Sequence, residues 1–223
     1  MAVTSMASAG AAQEGGLDSL YDLIVSGGPI MWPIAFCSVV ALGYSVERWI
    51  RMRPGPLGTA RFREELLAAA NEGGPARALE LCARSTNPLA RTLQPGLERW
   101  ERPALEHEKA VEDAGSREVR RLTTGLRPLV VVAGIAPLLG LLGTVWGMIL
   151  AFNVIATQQG LGRPELLANG IAQALVTTAA GLAVAIPTQA AYYYLKGRID
   201  RFVSAAEDTW QQLVLRLRGE AGA

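Results

Sequence analysis

Charge is missing from three long stretches of this 223-residue chain. Twenty-four uncharged residues separate Asp22 from Glu47, 35 separate Arg127 from Arg163, and 30 separate Glu165 from Lys196. A helix needs about 20 predominantly apolar residues to cross the hydrocarbon core of a bilayer, whereas a helix at a protein surface keeps a polar face toward water. The windows predict three transmembrane helices, over residues 29–49, 128–157 and 169–195, in an all-α polytopic membrane protein. The alternative is a soluble bundle of buried helices, and runs this long without a charge argue against it.

Loop charge predicts the orientation. Residues 50–127 carry 14 Lys and Arg, the tail 196–223 carries 5, and Arg48 stands at the inner edge of the first span. Residues 1–28 carry none, and the turn at 158–168 holds only Arg163. By the bias of basic residues toward the cytoplasm, the N-terminus is expected outside, and the 50–127 loop and the C-terminus inside. In a bacterium that means periplasm and cytoplasm at the inner membrane. Without a basic n-region, 1–28 does not read as a signal peptide. It is expected to be a periplasmic tail ending in an interfacial helix, with Leu17, Leu20, Tyr21 and Ile24 on one apolar face.

The inside loop reads as helical pieces: Arg61–Asn71 ending at Gly73-Gly74, then Ala76–Ala83 opened by Pro75, then a helix capped by Asn87 with Pro88 at its first position. A charged helix from Pro103 is expected to run without a break into the second span. The tail is expected to continue the third span inward, with Ile199, Phe202, Val203, Ala206, Trp210, Leu213 and Leu217 at helical spacing.

Chemistry is sparse. One histidine (His107) is too few for a His-based triad or a multi-His metal site, and Cys37 and Cys82 belong to no CxxC or Cys/His cluster. No nucleotide, zinc-protease or hydrolase motif occurs. The net charge of +1 gives no reason to expect nucleic acid. We expect no catalytic residue, metal or cofactor. An intramembrane enzyme is set aside, because Cys37 has no His, Asp or Glu companion within its span.

What the spans do contain is small residues in register. Ala136, Gly140, Gly143, Gly147 and Ala151 step along one face of the second, and Gly170, Ala174, Thr178, Gly181, Ala185 and Thr188 along one face of the third. In lipid, where no hydrophobic drive joins helices, close backbone approach through small residues supplies the packing. The polar residues at matching depth are Thr144 on the second span and Gln173, Thr177 and Thr178 on the third. None of them titrates near neutral pH. If these spans line an ion pathway, a partner helix must bring the ionisable group.

Two segments carry a resemblance. Gly140-Leu-Leu-Gly-Thr-Val-Trp-Gly147, followed by Ala151-Phe152, is similar to the second-span motif of the ExbB/TolQ/MotA proton-channel family. Gly170-Ile-Ala-Gln-Ala-Leu-Val-Thr-Thr-Ala-Ala-Gly-Leu-Ala-Val-Ala-Ile-Pro187 resembles its third-span motif. Gly27-Gly28-Pro29 with Trp32-Pro33, and Glu47-Arg48, extend the likeness to nearly the whole chain. The fit is nearer to ExbB and TolQ than to MotA, which has an extra N-terminal span. The resemblance implies an inner-membrane stator subunit: a homopentamer around two single-span helices of an ExbD/TolR-like partner. Each partner helix bears an aspartate, and its protonation, driven by the proton-motive force, turns one component against the other. A TonB/TolA-like or other envelope effector carries the work onward. Carried over by position, the pore-lining hydroxyls are Thr144 and Thr178, with Thr177 beside the latter where many relatives have Ala.

One position departs from the pattern. ExbB and TolQ carry glutamate where this chain has Gln173, and an amide cannot take up a proton. That agrees with a titrating group on the partner and leaves open which envelope process is served: TonB-type transport, Tol-type maintenance or gliding. A passive oligomeric scaffold and a sodium-driven member of the same family are the other readings.

Overall fold

The computed structural model describes residues 27–52, 59–157 and 164–220. The expected interfacial helix of the tail, and most of the turn at 158–168, lie outside them. Six helices account for the described residues: α1 (Met31–Arg51), α2 (Thr59–Arg84), α3 (Pro88–Leu97), α4 (Ala104–Thr124), α5 (Arg127–Thr157) and α6 (Pro164–Glu220). They fall into two compact units, one built from residues up to Gly43 with Pro128–Ala190, the other from Tyr44–Arg127 with Ala191 onward.

In the first unit, the chain turns into α1 at Gly28, whose φ of 73° suits glycine, and whose carbonyl accepts from the Met31 amide at 3.1 Å. Pro33 falls in the first turn, where an N–H would have no helical partner. The apolar windows predicted from the sequence become α1, α5 and the first part of α6. Residues Arg127–Asn153, and a stretch within Ala168–Gly219, are long and apolar enough to cross a membrane, and only 28% of the most apolar window in each is buried. Pro137 and Pro187 lie inside α5 and α6 without ending them.

The second unit is a helical bundle with an ordinary core. Leu66, Leu89, Leu93 and Leu213 are fully buried, with Cys82 and Thr209 among them. Burial in these apolar surroundings pushes the Cys82 thiol up to about 12, so it stays an inert thiol. The expected break in α2 is present: Gly73 and Gly74 leave helical geometry, Gly74 at φ 61°. The Asn87 side chain accepts from the Leu89 amide at 2.9 Å, with Pro88 at the first helical position. The C-terminal stripe also forms as expected, with Ile199, Phe202, Ala206, Trp210, Leu213 and Leu217 buried on one continuous α6.

One expectation about α4 needs correction. It does not run unbroken into α5: it ends at Thr124, and Gly125-Leu126 form a turn in which the Leu126 amide donates to Thr123. Pro128 has no N–H to give the Thr124 carbonyl, so the ladder of a single helix fails there. Arg48 fills the gap, its Nε donating to the Gly125 carbonyl at 3.0 Å. α4 also has a buried face. His107, Ala110, Val111, Ala114 and Glu118 are buried, and the Glu118 carboxylate takes a two-pronged hydrogen bond from Arg91 at 2.6 and 3.3 Å. Pairing of this kind is what allows a carboxylate to be buried.

Candidate functional site

The four polar residues singled out from the sequence lie on the hairpin of α5 and the apolar part of α6, and its seam explains how two of them are held. A β-carbon built on Gly140 would stand 3.1 Å from the Thr177 carbonyl oxygen and from the Thr178 Cα. On Gly147 it would stand 3.0 Å from the Ala174 Cβ, and on Gly181 only 2.6 Å from the Ala136 carbonyl oxygen. On Gly143 it would run into the Thr177 side chain itself. The small-residue faces read from the sequence therefore meet each other, backbone against backbone.

Thr177 is fully buried in this seam. Its hydroxyl donates back into α6, 2.8 Å from the Ala174 carbonyl and 3.1 Å from that of Gln173. Its methyl and hydroxyl fill the hollow over Gly143, so in this chain it is a packing element. Thr178 is half-buried and donates across the hairpin to the Gly140 carbonyl at 3.0 Å. Gly140 is thus contacted by both threonines through atoms no larger side chain would spare.

Thr144 faces elsewhere. It is half-buried, donates to the Leu141 carbonyl at 2.6 Å, and lines a shallow groove of about 480 Å³ with Val145, Met148, Ile149, Phe152 and Asn153. All these groove residues belong to α5, so within one chain the groove is open on its far side. Gln173 goes a third way, reaching the turn before α1, where a β-carbon on Gly28 would fall on its amide nitrogen. The residues expected to line a passage therefore do not converge on one cavity in a single chain. Two face the hairpin seam, one braces α1, and Thr144 alone looks onto the free face of α5.

Sequence reasoning missed the Gly28–Gln173 contact and the Arg48 bond to Gly125. The Gly-Gly-Pro of the first and the Glu-Arg of the second were the only signals, and neither names its distant partner. The surface around the hairpin is strongly apolar. Leu138, Leu141, Leu142, Val145, Phe152, Leu175 and Ile186 are all more than half exposed, as are Trp32, Phe36 and Val39 on α1. Patches this large are covered in a working protein. Among the described residues no group of His, Cys, Asp and Glu could hold a metal ion. Between Arg127 and Arg163 there is no carboxylate, amine or imidazole, so α5 offers hydrogen bonds and shape but no site that could hold a proton near neutral pH.

Residues 84–208 match the model of the MotA/TolQ/ExbB proton channel family. The biopolymer transport protein exbB1 of Vibrio cholerae is 32% identical over 91% of this chain and 90% of its own length. The Tol-Pal system protein TolQ of Haemophilus influenzae is 40% identical over a shorter stretch, 41% of this chain and 40% of that protein. The solved structure of C. jejuni MotAB covers 98% of this chain and 86% of its own, at 20% identity and a TM-score of 0.57, a likeness of fold.

Proposed function

The chain belongs to the MotA/TolQ/ExbB proton channel family, and from that premise we propose that it is the wall-forming stator subunit of a proton-driven motor in the bacterial inner membrane. One observation carries the reading. The α5–α6 hairpin is closed along its seam by glycine, alanine and threonine, leaves Thr144 on a free face, and supplies no proton-binding group from α5.

On this reading α1, α5 and residues 169–195 of α6 are the three spans. Residues 1–28 and the turn at 158–168 lie in the periplasm, and the 50–127 loop and the tail 196–223 in the cytoplasm. Copies of the chain, five in the resemblance, form a ring whose inner wall takes in the free face of α5. An ExbD/TolR-like single-span dimer occupies the centre and brings the carboxylates that carry the proton. Thr144 meets that carboxylate directly. Thr178 and Thr177 act by holding the wall together, and Gln173 by bracing the entry to α1. A proton falling through 100 mV releases about 2.3 kcal/mol; protonated and neutral, the partner's carboxyl passes an apolar stretch, and re-ionised it is held at the Thr144 hydroxyl. The chain is a channel subunit and not an enzyme, and its work leaves through a TonB/TolA-like or other envelope effector.

The test is reconstitution into liposomes with and without the single-span partner. Proton flux is expected only with the partner, and Thr144→Val is expected to abolish it while the assembled complex remains. Brisk flux through the chain alone would overturn the division of labour.

A further inference from the structure

We infer that the helices packed around His107 form an acid-sensitive latch, closed while the imidazole is neutral and released when it takes up a proton. The latch lies within the second unit, and its operation does not depend on the proposed passage.

His107 is the only histidine in the chain, and it is 2% exposed. Its ring stacks on Trp100 with centroids 5.3 Å apart and meets Trp210 edge-on at 5.6 Å, while the two tryptophans stand 6.4 Å apart. One imidazole on α4 thereby joins the turn after α3 to the C-terminal part of α6. The fit is close: the outer edge of the Trp210 six-membered ring lies where a β-carbon on Gly96 would be. Inside this cage His107 Nδ1 has no hydrogen-bond partner, and neither has Trp210 Nε1.

A neutral imidazole tolerates that arrangement, because a bare ring nitrogen is a single unused acceptor. An imidazolium does not. It turns Nδ1 into a charged donor, and the other unpartnered atom of the cage, the indole N–H, is a donor too. Stacking on the face of Trp100 favours a positive ring, but it offers nothing to Nδ1, which is buried without a partner. The surrounding charges do not reverse this. Glu108, on α4 itself, favours the proton and Arg218 on α6 opposes it, while Glu98, Arg99, Glu101 and Arg102 around Trp100 are exposed to solvent. Burial is the largest influence, and it lowers the imidazole below its ordinary 6.5.

The sign follows from linkage. When the folded value lies below the free one, the open form binds the proton more readily. Stability of the closed cage is complete above the ordinary value and is lost as pH falls through the interval below it, by up to about tenfold in the closed-to-open ratio per pH unit. Under the proposed topology this cage faces the cytoplasm, the side that receives the transported protons.

A single histidine makes the test direct. The full chain, labelled with ¹⁵N-histidine in lipid nanodiscs, is titrated from about pH 8 to pH 5, and its one imidazole is read by NMR. Amide hydrogen exchange, corrected for intrinsic rate, is followed over residues 88–124 and 196–220. The expected result is an imidazole midpoint below the ordinary value, with exchange in those segments rising roughly tenfold at pH values near that midpoint. Exchange in His107→Phe is expected to stay flat. A midpoint at or above the ordinary value, or equal acid sensitivity in His107→Phe, would overturn the latch. If His107→Phe does not fold, agreement or disagreement between the two wild-type titrations still decides.

Discussion

The hydroxyl of Thr178 on α6 reaches across the hairpin and donates to the carbonyl of Gly140 on α5 at 3.0 Å. Thr144, four residues further along α5, turns its hydroxyl back to Leu141 and lies on the free face. Two threonines with the same chemistry thus have different work, and substitution should separate them. Thr178→Val is expected to lower the thermal stability of the purified protein by about 1 kcal/mol, the usual range for an interhelical hydrogen bond in a membrane, with Thr178→Ser recovering most of it. Thr144→Val should leave the melting transition in place and remove partner-dependent proton flux. A stable, fully active Thr144→Val protein would refute its assigned role.

The seam is more sensitive than either hydroxyl. Gly143→Ala places a methyl on the Thr177 side chain, and overpacking of this kind costs about 1–3 kcal/mol. Pairing it with Thr177→Gly should restore part of the loss, since that change removes the obstructing atoms. Melting curves of the two single variants and the double variant would measure the coupling. Strict additivity would mean that the two residues do not meet.

At the entry to α1, Gly28→Ala faces two separate penalties, a φ of 73° and the Gln173 amide. It is expected to destabilise by about 1–3 kcal/mol. Gln173→Ala in the same chain should relieve only the steric part. Full rescue by Gln173→Ala would show that the backbone conformation carries no cost there.

The buried carboxylate of Glu118 depends on Arg91. Arg91→Met leaves that carboxylate with Arg121 alone, at 3.9 Å, and is expected to cost about 1–3 kcal/mol, below the range for fully buried pairs because both arginines are partly exposed. Arg91→Met with Glu118→Leu should recover stability near wild type, as apolar replacements of buried pairs commonly do. Denaturant titration of the four proteins would report the cycle.

Elements were easier to read than partners. The missing charges located α1, α5 and the apolar part of α6, and the 4-3-4-4 step from Ala136 to Ala151 marked the face that α5 presents to α6. Both signals are local: composition sets the solvent, and helical period sets the face. Asn87-Pro88 and Gly73-Gly74 were legible for the same reason. The site was legible only in part. Thr177 and Thr178 are neighbours in sequence, and the 3.6 period does not say which one an opposing helix will bury. The structure seals Thr177 over Gly143 and leaves Thr178 to bridge. Gln173 reaches a glycine 145 positions away (173 − 28), and no periodicity encodes such a pairing. The end of α4 was misjudged because a run of charged helix formers outweighed Gly125 and Pro128, and the guanidinium that holds the break comes from α1.

A contact line made of the smallest residues can be altered in one direction only. Glycine has nothing left to lose, so nearly every replacement along Gly140, Gly143, Gly147 and Gly181 adds bulk where there is no room. The outward-pointing leucines and valines of the same helices that lie away from the Thr144 groove can trade among themselves more readily. Tolerance to change should therefore rise and fall every three to four residues along α5, and a saturation mutagenesis profile of that one helix would trace the line as a row of intolerant troughs.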